Sequence, residues 1–316
     1  MPTLILRRFG FAAFTIAFVS MIMFAAVEAL PGNVCTSFLQ RLAQGPRLER
    51  CIEQQGLDRP AIERYADWAS GALKGDFGYS LKKRKPINEV IGERLANTAL
   101  LGGLATFLAI PLAVFLGIVA GVRRDRPLDL SLSGIAMLAM TIPEFVTATA
   151  LIYVFAIVLQ WFPAVTVMRS GMGFFDMLPN VVLPVLVLSA VLIAHIMRMM
   201  RASVIDVMAS DYVQMARLKG VPERQIIRRH VVPNAMIPAL NVIALTVAWL
   251  LAGVVVVEKV FNYPGLGTLM IQAIYDRDLP LVLSVALIFS AIYVAVNLLA
   301  DLAALMIDPR LRRGGH

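Results

Sequence analysis

The chain has few of the residues from which catalytic and metal sites are built. Its 316 residues include two cysteines and three histidines, and only 16% of the side chains are charged. Cys35 and Cys51 are not spaced as CxxC and have no histidine nearby, which argues against zinc. No GxxxxGK[ST] is present, so no P-loop can cradle ATP phosphates. HExxH and GxSxG are also absent, and no relay of charged residues runs through successive apolar runs. Nothing here supports catalysis within the chain.

What the chain has is apolar length. Hydrophobic residues make up 59% of it, and the mean hydropathy is +0.76. They come in blocks of bilayer length rather than at amphipathic spacing, which predicts an all-α integral membrane protein. The net charge of +8 is the usual Lys and Arg bias of cytoplasmic loops, and nucleic acid is not expected as a partner.

Six runs can span: Phe9–Val27, Thr98–Val122, Leu132–Leu159, Leu178–Met197, Ala239–Val257 and Leu281–Ile307. The first follows Arg7 and Arg8 and is too long for a signal-peptide core, so it is expected to remain as a helix with a cytoplasmic amino end. The connections alternate in basic content. Arg123–Pro127, the stretch 198–238 with its seven Lys or Arg, and the tail are placed inside. Phe162–Met177 and Phe261–Pro280 are placed outside, giving six spans with both termini cytoplasmic. Pro31–Ala96 is then an outer polar region. If it faces an oxidising compartment, Cys35 and Cys51 form a disulfide worth about 3 kcal/mol; otherwise they are two thiols. Its run Lys82–Lys85 is either a solvated face or a docking patch.

The inner stretch 198–238 organises the rest. Ser210 is a good N-cap, Gly220 a helix stop, Pro222 an N1 proline and Pro233 a second stop. Two short helices with an elbow are expected. On the first, Asp211, Gln214, Arg217 and Leu218 share one side, and Tyr212, Met215 and Ala216 the other.

Some residues inside the spans are candidates for a transport path. Thr141, Pro143 and Glu144 break the third run; the carboxylate either lines a path or sits at the interface. Asn297 and Asp301, one turn apart, either face the bundle or approach the inner interface. Gly117 and Gly121 form GxxxG, a close helix contact. His195 and His230 stand alone in the sequence.

Gln214-Met215-Ala216-Arg217-Leu218-Lys219-Gly220, with Pro233 thirteen residues on, resembles the EAA motif of permease subunits of binding-protein-dependent ABC importers. Leu30-Pro31-Gly32, Gly56–Pro60, Gly75–Ser80, Asp211-Tyr212-Val213, Val256–Gly267 and Ile307-Asp308-Pro309-Arg310 resemble the dipeptide, oligopeptide and nickel branch, specifically its first permease. The resemblance covers nearly the whole chain. It implies a type I importer of the bacterial inner membrane. A second permease would pair with this one, two ATPases would carry ATP and Mg, and a periplasmic solute-binding protein would deliver cargo. The chain itself would bind no cofactor or metal, and lipid would surround it. Residues 1–30 would be the first span, 31–96 periplasmic, 97–309 a five-helix core and 310–316 a cytoplasmic tail. Ala216 and Gly220 would shape a coupling helix, with Asp211, Gln214, Arg217 and Lys219 as its polar contacts. Gln214 replaces the motif's usual acid, and Asn33 stands where an aspartate often follows Pro-Gly.

Overall fold

The computed structural model describes residues 2–29, 32–168 and 171–307. Leu30, Pro31, the Asp308-Pro309-Arg310 match, the basic tail and the side chain of Asp301 lie outside the described residues. The helices are α1 (Pro2–Glu28), α2 (Val34–Leu39), α3 (Pro46–Gln54), α4 (Ala61–Leu73), α5 (Ile87–Val122), α6 (Pro127–Thr141) and α7 (Glu144–Leu151). They continue as α8 (Phe174–Met208), α9 (Asp211–Leu218), α10 (Glu223–Ile226), α11 (Val232–Val260), α12 (Leu266–Tyr275) and α13 (Leu279–Ile307). In the antiparallel pair β1 (Tyr79–Ser80) and β2 (Lys85–Pro86), each two residues long, Lys82, Lys83 and Arg84 lie in the turn and Lys85 opens β2.

Five helices among the described residues are long and apolar enough to cross a membrane, and α6 with α7 make a sixth span if their bent pair is counted as one. The bend is 105°. It falls at Ile142-Pro143, because the residue before a proline is driven out of the helical region and the proline cannot donate to the preceding turn. The protein is an all-α, multi-pass membrane protein.

Two compact units divide the chain, one built on Leu100–Tyr263 and the other on Leu6–Ala99 with Pro264–Val294. In the first, α8 is the axis and packs against α6, α7 and α11. Leu183, Leu188, Leu192 and Ile196 of α8 are fully enclosed. The GxxxG pair seats α5 on α8: a Cβ at Gly117 would lie 2.6 Å from Met200 Cβ, and one at Gly121 2.7 Å from Val204 Cβ. Beside it, Arg201 of α8 clasps the fully buried Asp129 of α6 with two bonds of 2.5 and 2.7 Å. A buried carboxylate is tolerable when so paired.

In the second unit, Cys35 and Cys51 are joined by a disulfide. Arg64 bonds Glu28, Ser80 donates to Asp278, and Thr98 accepts the Leu266 N–H at 2.8 Å. Asp278 is buried, and that burial pushes its carboxyl above the ordinary aspartate range.

Several boundaries differ from the sequence reading. The second long helix starts at Ile87 rather than near Thr98, and α8 continues to Met208 past the end of its apolar run. Apolar length marks the bilayer, whereas a helix ends only where its backbone pattern ends. Arg201 can sit inside the continued helix because Asp129 receives it. The loop 261–280 contains α12, a short apolar helix absent from the sequence reading. Pro233 does not stop its helix: the path from Glu223 to Val260 continues through it. A π-helical turn over Ile227–Val231 comes just before the proline. Its wider spacing accommodates the ring and the missing N–H.

Candidate functional site

The elbow after α8 is built from a few local decisions. Ser210 has the extended backbone of an N-cap (φ −71°, ψ 149°), but its hydroxyl donates to the Val207 carbonyl at 2.5 Å rather than capping α9. The expected position is therefore right, and the expected bond is absent. Asp211 in the first turn still complements the helix dipole. Val213, fully buried, and Ala216, half-buried, press α9 against a cluster that includes Met200, Val204 and Ile226. The sequence named Val213 only within the Asp211-Tyr212-Val213 match and did not gather this cluster, since its buried members come from α8 through α11.

With that side spent, the rest of α9 is exposed. Tyr212, Met215 and Leu218 are 47%, 53% and 82% exposed. At i, i+3 and i+6 they form one apolar stripe on a polar helix. Asp211, Gln214 and Lys219 flank it and are exposed as well. Gln214 reaches back to the Ala209 carbonyl at 3.2 Å.

Gly220 ends α9 with φ +74°. The Val221 N–H bonds the Ala216 carbonyl at 3.1 Å, and the Gly220 N–H bonds that of Arg217 at 2.9 Å. This is the paired closure of a Schellman motif, which needs the left-handed backbone that glycine supplies at least cost. Pro222 then sits at the N-cap of α10, one place earlier than the N1 position expected. Arg217 grips Glu223 across the turn, Nε to Oε2 at 3.1 Å and Nη2 to Oε1 at 2.7 Å. That bond holds the Arg217 guanidinium above its ordinary range. Arg217 thus closes the elbow, a use the sequence reading did not foresee.

The second group of candidates lies at the α6–α7 break. The Thr141 hydroxyl bonds the Met137 carbonyl at 2.7 Å, and Pro143 caps α7. Glu144, in the first turn of α7, makes no hydrogen bond or ion pair among the described residues. Its carboxylate lies against Gly253 of α11, where a Cβ would come within 2.6 Å of Oε2. His195, Thr246 and Trp249 line the same niche, and the rings of His195 and Trp249 are 6.3 Å apart. The sequence could not gather these, because they come from three helices. Asn297, half-buried on α13, is not among the residues lining it. Among the described residues, no group of three or more His, Cys, Asp or Glu is placed to hold a metal ion.

Residues 113–313 match the family described as binding-protein-dependent transport system inner membrane component. A putative peptide permease protein of Brucella suis is 35% identical, over 93% of each chain. A probable peptide ABC transporter permease of Sinorhizobium fredii is 33% identical, over 99% of this chain and all of its own. The oligopeptide transport system permease AppB of Bacillus subtilis is 31% identical, over 98% and 99%. The crystal structure of an amino acid ABC transporter with histidines has the same fold. It superposes with a TM-score of 0.53 at 18% identity, covering 69% of this chain and 94% of that one. This chain belongs to the family of inner-membrane components of binding-protein-dependent transport systems, and is a permease subunit of an ABC importer.

Proposed function

We propose that the subunit passes short peptides, that it pairs with a second, different permease, and that two ATPase chains dock on the cytoplasmic elbows. A periplasmic binding protein would deliver the cargo. The relatives' names support peptide cargo. Both termini lie in the cytoplasm in this reading, since that places the basic stretch 198–238 inside. The chain has no catalytic role of its own; ATP and Mg belong to the ATPases.

The observation that carries the docking role is the exposed stripe Tyr212, Met215 and Leu218. A short helix with its apolar stripe in water is stabilised by insertion into a partner's cleft. Asp211, Gln214 and Lys219 form the polar rim. ATP closing the ATPase dimer moves both elbows together and favours the outward-facing arrangement; hydrolysis releases it. Along α8, the motion reaches α6 through Asp129–Arg201, and α6 leads to the break that carries Thr141, Pro143 and Glu144. Glu144 and Asn297 are assigned to the path.

The test is cross-linking from Met215→Cys in the assembled complex, together with uptake by Ala216→Glu. The expected results are a cross-link to an ATP-binding chain and loss of uptake with membrane insertion intact. A cross-link only to outer partners, or undiminished transport-linked ATP hydrolysis by Ala216→Glu, would sink the reading.

A further inference from the structure

The unit built on Leu6–Ala99 and Pro264–Val294 contains a cavity of about 420 Å³ that peptide transport leaves without a use. Its floor is apolar: Phe24 and Val27 from the last turns of α1, Leu279 and Leu283 from the first turns of α13. These are ends of two membrane-crossing helices. Its polar lining is Glu28 at the end of α1, with Arg59, Arg64 and Trp68 from the segment that follows.

The hydrogen bonds of that lining are incomplete. Arg64 gives Nη2 to Oε1 of Glu28 and Nε to the Arg59 carbonyl at 3.1 Å. Its other N–H groups have no partner among the described residues. Arg59 gives one N–H to Asp67 at 2.8 Å and keeps the rest. The indole N–H of Trp68 is buried with no acceptor among the described residues, although the ring itself is held by Phe24 and Tyr65. An orphaned buried donor is unfavourable until an acceptor reaches it. Beside Arg64, Oε2 of Glu28 is unused, and that side chain is 41% exposed. The two arginines are balanced by Glu28 and Asp67. A net anion therefore gains little, whereas a ligand carrying both an oxyanion and a cation matches both members of the Arg64–Glu28 pair.

We propose that this pocket holds the headgroup of a zwitterionic aminophospholipid, its phosphate on Arg64 and Trp68 and its ammonium on Glu28. The acyl chains run along Phe24 and Leu283, which a free zwitterion of the same charges would leave uncovered. The assignment to the outer leaflet rests on the topology proposed above, since the span ends that floor the pocket are outer ends only in that arrangement.

The assembled transporter, purified with its partners, is delipidated and titrated with phosphatidylethanolamine, phosphatidylglycerol or a free dipeptide. Binding is read by native mass spectrometry without ATP. Wild type retains phosphatidylethanolamine in preference to the other two. Trp68→Phe, which removes only the indole N–H, weakens that retention about tenfold, as expected for one buried hydrogen bond. Glu28→Gln narrows the preference over phosphatidylglycerol. Equal retention of the two lipids, no change in Trp68→Phe, or displacement of the lipid by the dipeptide overturns the proposal. Sidedness is read separately from Gln55→Cys and a membrane-impermeant maleimide. Labelling from outside supports the outer leaflet; labelling only in inverted vesicles overturns the topology and the leaflet while leaving the retention result intact. ATPase docking is not read in either arm, so its failure would be recognised independently.

Discussion

Two polar interruptions break the apolar chain, and they are stabilised in opposite ways. The segment between α1 and α5 is tied both within itself and to the helices around it. A disulfide joins Cys35 to Cys51, Arg64 bonds Glu28, and Ser80 bonds the buried Asp278. The elbow between α8 and α11 has no covalent tie and keeps an apolar stripe in water. Its two local closures are the Schellman turn at Gly220 and the Arg217–Glu223 clasp. The first segment is held by covalent and polar ties within its own chain; the one that leaves Leu218 82% exposed is shaped for something else to complete.

The sharpest way to break this contrast is at the turn. Gly220→Pro cannot adopt φ +74° and removes the N–H that bonds Arg217. Uptake should fall by at least about a hundredfold, on the reading that a 1 Å misplacement of a working element costs that much, while the membrane-inserted amount stays near wild type. Uptake measured alongside quantitative membrane fractionation checks it.

A smaller effect is expected from the disulfide. Replacing Cys35 and Cys51 by Ser should cost about 3 kcal/mol of local stability. Limited proteolysis would then cut sooner between α2 and α4, with elbow accessibility unchanged. Equal protease resistance with and without the disulfide would remove the contrast between the two interruptions.

Next comes the clasp. Both partners are half-exposed, at 41% and 50%, so water screens them. A double-mutant cycle on Arg217→Ala and Glu223→Ala, read by thermal unfolding, should return about 0.5 kcal/mol of coupling. A coupling of several kcal/mol would mean that the elbow is closed as firmly as the disulfide-bonded segment.

The smallest expected effect concerns Asp278. Its folded-state pKa is raised by burial, so its ionisation opposes folding as pH rises from near the ordinary value of 3.8 through the raised one. Asp278→Asn lacks that penalty and can still accept from Ser80. Its melting temperature should therefore gain on wild type between pH 4.5 and pH 8. A gap that shrinks with pH would show that the native carboxylate is stabilised as an anion.

Much of the architecture was legible without coordinates, because a bilayer imposes length on apolar runs and basic loops mark their ends. The same holds for Gly220, since left-handed backbone selects glycine locally. The GxxxG contact was readable as a contact, though its partner, Met200 and Val204 of α8, was not. Helical spacing sorted the side chains of α9 onto two sides. It did not reveal that Val213 anchors it, because a single buried valine has no signature in eight residues.

By itself the sequence determined the class, the number of apolar runs and the motif at the elbow, all properties of spacing and composition along one dimension. Only the tertiary structure decided that Pro233 lies within a continuing helix, that Arg217 serves Glu223, and that Glu144 meets Gly253 beside His195. Those outcomes depend on which atoms come within a few ångströms after packing. Hydrogen bonding and steric exclusion act at that range, and neither is written in the order of residues.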